Sequence, residues 1–280
     1  LITAFVAIGS IFYSLQLTNY YQSGSLVSVR DSNQSQGMFS QLSGGVSSLL
    51  GVGLPTGDKK AMEAIELIRS RDFVKHLISF ENVLPSIMAA ESYNRSSKEI
   101  VFNKEIYNSE TKTWIREPNE DGIVVPTFLE THRAYRNGLL SISQDKETGF
   151  ISINVEHLSP IFASEFLELI IQEANTILRE RDLKEANDAL EFLKAELSKT
   201  SYVEIRESIN RLIEGQLETQ MIAKVNEEYS LAIIDPPYIP DQKFKPIRSV
   251  IVIFSTIIGG FLSVIFVLVR HFFFRRKLEE

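Results

Sequence analysis

The sequence predicts an α+β membrane protein. Two transmembrane helices flank a periplasmic α/β base domain, and one long, extended helix rises from that base. Three observations carry this reading. No charged residue occurs from Leu1 to Val29, and a second uncharged stretch runs from Val250 to Val269. Between Pro160 and Pro236 there is no other proline and a single glycine, Gly215, so that segment can stay helical far longer than a globule needs.

The two apolar ends set the layout. The stretch from Val250 to Val269 is just long enough, at about 1.5 Å of rise per residue, for a hydrocarbon core of roughly 30 Å. The first span is assigned to residues 1–19. The chain opens on Leu1 with no initiator Met and no basic flank, so this span is expected to be cut short at its start. A secretory signal peptide is the alternative. It would carry a positive charge before a shorter apolar core and small residues at a cleavage site. Here Thr18-Asn19-Tyr20-Tyr21 follows instead, and a Tyr pair suits a membrane–water interface.

Arg270, Arg275, Arg276 and Lys277 follow the second span, which predicts a cytoplasmic tail over 272–280 and places the central domain in the periplasm. Lys243, Lys245 and Arg248 on the other side belong to a long loop, and long loops cross largely regardless of charge. The net charge of -7 and the lack of a basic stripe argue against nucleic-acid binding.

The base domain is assigned to 20–158. Ser25-Leu26-Val27-Ser28-Val29 alternates small polar and apolar residues in the manner of a strand. Asp31 to Gly57 is rich in Ser, Gln and Gly and reads as a loop. Asp58 is a candidate N-cap for a helix that carries Ala61, Ala64, Ile65 and Ile68 at helical spacing and continues through Ser70-Arg71-Asp72-Phe73. Asn94 to Pro126 is polar, carries the only tryptophan, Trp114, and reads as loops and a short helix. Leu139–Ser143 and Phe150–Val155 alternate as two strands of a hairpin, joined by a turn with Gly149 near its end.

Ser159 as cap and Pro160 at the first helical position start the long element, assigned to 159–230. Its apolar residues recur every three or four positions: Phe166, Ile170, Ala174, Ile177, then Ala186, Leu190, Leu193, Leu197, then Ile205, Ile209, Leu212. Lys199-Thr200-Ser201 is the expected break. Unbroken, about seventy residues would reach roughly 100 Å, and such a helix needs a partner helix or a neighbouring protomer to cover its sticky face.

Segment 231–248 is the return. Leu231–Ile234 reads as a strand, and Pro236, Pro237, Pro240 and Pro246 then stiffen an extended lead-in to the second span, assigned to 249–271. Within that span Ser255, Gly259 and Ser263 fall four apart with Gly260 alongside, a spacing that lets two helix backbones approach closely in lipid.

No chemistry-bearing constellation accompanies this architecture. Gly51–Lys59 lacks the Gly-Lys-Ser/Thr ending of a phosphate loop. His76, His132, His157 and His271 are scattered, with no pair at metal-ligand spacing, and there is no Cys. No Gly-x-Ser-x-Gly elbow occurs. The carboxylates interleave with Lys and Arg as they do on solvated helix faces. The chain is therefore expected to be no enzyme, with no catalytic residue, cofactor or metal.

The order of parts resembles the Wzz-type polysaccharide co-polymerases, the chain-length determinant family. The resemblance rests on DPPYIPDQKFKPIRS (Asp235–Ser249) leading into a span with Gly259-Gly260, and on AKVNEEYSLAIIDPP (Ala223–Pro237). TGFISINVEHLSP (Thr148–Pro160) and the helix bearing Ser70-Arg71-Asp72-Phe73 add to it. It implies a periplasmic α/β base, a long helix and a ring of protomers, often octameric. Such a protein regulates the chain length of a surface glycan, such as lipopolysaccharide O-antigen, at the inner membrane. Its partners would be copies of itself, a membrane glycan polymerase, the nascent lipid-linked polysaccharide and the bilayer. Some relatives carry a tyrosine-kinase domain after the second span; the tail ending at Glu280 leads us to expect a kinase-less type. A kinase-less adaptor for capsule or exopolysaccharide export shares the architecture and stays open as the alternative. A periplasmic sensor would need a cytoplasmic output domain that the short tail does not supply.

Overall fold

The computed structural model describes residues 2–30, 56–226 and 228–276. Most of the loop expected over Asp31–Gly57 and the last four residues of the tail lie outside the described residues. The elements run in this order: helix α1 (Ile2–Gln16), strand β1 (Tyr21–Val29), helices α2 (Thr56–Arg69), α3 (Arg71–Leu77) and α4 (Val83–Met88), strands β2 (Ala90–Asn94), β3 (Glu99–Phe102), β4 (Tyr107–Asn108) and β5 (Thr113–Trp114), helix α5 (Phe128–Ala134), strands β6 (Leu140–Gln144) and β7 (Ile151–His157), long helices α6 (Pro160–Lys199) and α7 (Val203–Val225), strand β8 (Leu231–Asp235), and helix α8 (Arg248–Arg276). The fold is α+β with long helices.

Four strands make the main sheet, in the order β6-β7-β1-β8, with every neighbour antiparallel. One face is covered. On β7 the residues Ile151, Ile153, Val155 and His157 are buried while those between them are half-exposed. The first half of α6 lies on that face through Ala163, Phe166, Leu167, Ile170, Ile171 and Ala174. Helices α2 and α3 close the core with Ala64, Ile65, Ile68, Phe73 and Leu77. Half-wet antiparallel sheets of this kind alternate along each strand. In β1 the buried positions are Tyr21, Ser23, Ser25 and Val27. Two serines occupy the inner face, so apolar alternation is muted and the strand begins four residues earlier than its sequence shows.

Several elements differ from the sequence reading. Helix α2 starts at Thr56, so Asp58 falls within its first turn rather than capping it. The helix expected to run through Ser70 breaks there. Ser70 turns extended (ψ 157°), and its hydroxyl accepts from the Phe73 N–H to cap α3. Asn94–Pro126 holds hairpins and no helix. The reason is local. The side-chain oxygens of Asn94 and Asn108 each accept from the backbone N–H groups two and three residues on. The residues closing those turns, Lys98 and Lys112, take left-handed φ values of 57° and 53°. Asp145 builds the same turn in the β6–β7 hairpin, where Gly149 occupies the left-handed position at φ 74°.

The long element is two helices. Helix α6, with 40 residues, is about 60 Å long and ends at Thr200. The chain then folds back. Gln220 meets Asn187 at 2.5 Å, and the Tyr229 hydroxyl donates to Asp182 at 2.7 Å, so α7 runs antiparallel along α6. The partner that the sticky face requires is supplied, at least in part, by this chain itself. Phe192, Tyr202, Leu212 and Met221 nevertheless stay exposed on the helical hairpin.

The three histidines of the base each make a structural bond. His76 Nε2 lies 2.6 Å from Glu173 on α6, and His132 Nε2 lies 3.0 Å from the Arg69 carbonyl. His157 is buried. Its Nε2 sits 2.9 Å from the Ser86 carbonyl, and its Nδ1 accepts from the Ser159 N–H at 3.1 Å, which fixes the neutral tautomer. Burial, partly offset by these bonds, lowers its pKa from 6.5 to about 4. The unfolded chain therefore takes up the proton first as pH falls. Folding should weaken from about pH 6.5 down to about pH 4, by up to about 3 kcal/mol. Thermal midpoints across that window are expected to fall for the native chain and to flatten for His157→Gln; parallel slopes would contradict the assignment.

Candidate functional site: the apolar helix pair and its proline-rich lead-in

Helix α8 contains the one described segment long and apolar enough to cross a membrane, Arg248–Phe266. The apolar part of α1, Phe5–Gln16, is shorter. The two helices pack side by side along a seam of small residues. Gly259 is buried there, and a Cβ at that position would lie 2.9 Å from Val6 Cβ. A Cβ at Gly260 would lie 3.7 Å from Thr3 Cγ2, an ordinary contact. On α1, Ser10 and Ser14 are buried, and their hydroxyls donate back to the carbonyls of Ala7 and Ile11. On α8, Thr256 and Ser263 likewise donate to Val252 and Gly260. Because each hydroxyl satisfies its own helix, the seam between described residues is held by close packing. The outer surfaces are bare apolar side chains, including Phe5, Phe12, Phe254 and Phe261.

The lead-in to α8 is fixed by strand β1. The Ser25 hydroxyl donates to the Asp235 carbonyl and the Ser23 hydroxyl to the Tyr238 carbonyl, each at 2.7 Å. These two serines hold the backbone where Pro236 and Pro237 prevent a regular ladder. Pairing resumes at the base of β1. The Tyr20 N–H donates to the Lys245 carbonyl at 2.9 Å, and the Phe244 N–H donates to the Tyr20 carbonyl at 2.8 Å. Lys245 also reaches Glu156 on β7 at 2.7 Å. Arg248, in the first turn of α8, donates to the Asn19 side chain at 3.3 Å, while its Nε is buried with no partner among the described residues.

The residues singled out from sequence thus divide. Gly259 and Gly260 face α1, and Ser255 and Ser263 are half-buried on α8. Pro240 is buried, Pro237 and Pro246 are half-buried, and Pro236 is exposed; none of these prolines lies in the helix seam. Sequence reasoning missed the opposing face on α1. Its signal was Thr3, Ala7, Ser10 and Ser14, small or hydroxylic residues at steps of four, three and four within an apolar helix. Among the described residues, no three His, Asp or Glu side chains gather in a way that would hold a metal ion.

Residues 203–272, which span α7, β8, the proline-rich segment and most of α8, match the family described as "G-rich domain on putative tyrosine kinase". Two solved structures are similar to the chain. One, described as a full-length bacterial polysaccharide co-polymerase, is 12% identical, with a TM-score of 0.39, covering 98% of this chain and 93% of that one. The other, a fragment of WzzB, a polysaccharide co-polymerase from Salmonella Typhimurium, is 12% identical with a TM-score of 0.32, covering 81% of this chain and all of that one. No curated protein matches the chain.

The seam makes a graded prediction. Gly259→Leu, which forces a side chain into Val6, should separate α1 from α8 at a cost of about 1–3 kcal/mol. Gly260→Ala should be nearly neutral. Thermal unfolding in detergent micelles checks the pair; equal effects at the two glycines would contradict the seam.

Proposed function

We propose that this chain regulates the length of a surface polysaccharide, acting as a co-polymerase beside a membrane glycan polymerase. In this reading α1 and α8 are two spans of the bacterial inner membrane, over 1–19 and 249–271, and the base and helical hairpin stand in the periplasm. Protomers assemble into a ring through the apolar residues left exposed on the helices, and the ring biases how many repeats are added before the glycan is released. The protein works by assembly and binding and performs no bond chemistry. The domain boundaries and the roles given to Pro236, Pro237, Pro240, Pro246, Ser255, Gly259, Gly260 and Ser263 belong to the same proposal.

The observation that carries it is the continuity of one matched unit. The family match over 203–272 encloses both runs on which the resemblance to chain-length determinants rests, Ala223–Pro237 and Asp235–Ser249. These are the segments that return the chain from the helical hairpin to the apolar pair. Electrophoretic profiles of surface glycan test the function. A deletion strain is expected to lose a defined modal band that this chain restores. Glycan retained inside the cell instead would point to an export adaptor, and an unchanged profile would remove the proposed function.

A further inference from the structure

A cleft of about 810 Å³ opens beside the first turn of α6, where the β2–β3 and β4–β5 hairpins stand off from the main sheet. It lies toward the end of the domain nearest the apolar helices: His157 pairs in register with Tyr21, just past α1, and α6 begins at Pro160. Both walls are aromatic and fixed. On the hairpin side Phe102 and Trp114 each pack against Tyr107, with ring centroids 5.4 and 5.0 Å away. On the helix side Phe162 is held between His157 at 4.4 Å and Phe166 at 5.1 Å.

The rim is polar and unusual in its backbone. Asn82 and Lys98 line the cleft, and both hold left-handed φ, at 65° and 57°. Asn82 stands at the N-terminus of α4, but its side chain makes no capping bond and is left for another partner. Lys98 occupies the turn position that Gly149 fills in the β6–β7 hairpin, so a lysine with a left-handed backbone stands where a glycine would fit more easily. Glu110 and Glu165 face the same space, and neither carboxylate has an ion pair among the described residues.

We infer that this cleft binds a short run of sugar units of the glycan whose length the protein sets, an inference that rests on the function proposed above. The chemistry selects that ligand class. Aromatic walls suit the apolar faces of pyranose rings, while amide, carboxylate and amine groups around the rim suit their hydroxyls. An anionic ligand is disfavoured because the two lysines of the lining are outnumbered by three glutamates, Glu99, Glu110 and Glu165. A lipid chain would leave the polar rim unpaired. The cleft's place at the membrane end of the domain puts it where a lipid-linked chain emerges.

The test uses the full chain in lipid nanodiscs and short fragments released by mild acid from the host's own surface polysaccharide. Trp114, the only tryptophan, packs against Tyr107 of the cleft wall and reports on it. Saturable binding measured by calorimetry is expected, together with a shift in Trp114 emission. Asn82→Gly keeps the left-handed backbone and removes the amide; Glu165→Ala removes an exposed carboxylate. Each should weaken binding about tenfold with an unchanged thermal midpoint. No saturable binding, or full affinity in both variants, overturns the cleft. The deletion profile separates the two claims: if modal length depends on the chain while the cleft variants bind normally, only the cleft falls.

Discussion

The layout depends on one buried amide. Asn175, in the middle of α6 and 5% exposed, accepts from the N–H groups of Ser230 and Leu231 at 2.9 and 2.8 Å and donates to the Leu231 carbonyl at 3.0 Å. Three backbone groups at the start of β8 are thereby satisfied inside the core, where leaving them unpaired would cost about 1–3 kcal/mol each. The chain leaves the sheet through α6, travels out and back through the helical hairpin, and must rejoin the sheet beside β1. Asn175 marks where it does so. Tyr229, one residue before the clip, adds its bond to Asp182 of α6, and burial together with that carboxylate raises the tyrosine's pKa.

From that point the geometry propagates toward the pair of apolar helices. Strand β8 pairs with the far half of β1, from Val29 to Leu26. The hydroxyls of Ser25 and Ser23 then carry the chain past its prolines, and the Tyr20–Lys245 bridge returns it to the ladder at the foot of β1. Because β1 follows directly from α1, a chain that tracks β1 downward arrives next to α1. The Gly259–Val6 contact is the outcome of that tracking. Sheet register and helix seam are thus two ends of one constraint, and the long helices are free to extend from it without disturbing either.

Much of this was legible in the sequence because it follows strong periodic or terminal signals. The apolar ends, the Ser159–Pro160 helix start, the break near Thr200 and the Gly149 hairpin each announce themselves through residues whose backbone preferences are sharp. What was not legible used residues against type. Lys98 and Lys112 close turns in a conformation that favours glycine, so the hairpins of Asn94–Pro126 read as loops. Ser23 and Ser25 fill an inner strand face that pattern reading assigns to apolar side chains. Asn175 sits beside the Ala174 position of an apolar stripe, where a poor helix former is easily taken for a solvated residue. The seam was half-visible: the glycines of α8 stood out, while the serines of α1 were absorbed into an apolar run.

The central claim is that the clip on α6 governs the return of the chain. Hydrogen exchange on the chain carrying Asn175→Ala measures this directly. The account predicts that amides from Ser230 to Asp235 lose protection by about tenfold or more, while those of the β6–β7 hairpin keep theirs. Unchanged protection along β8, with the variant folded, would show that the return strand is held by something else and would contradict the account.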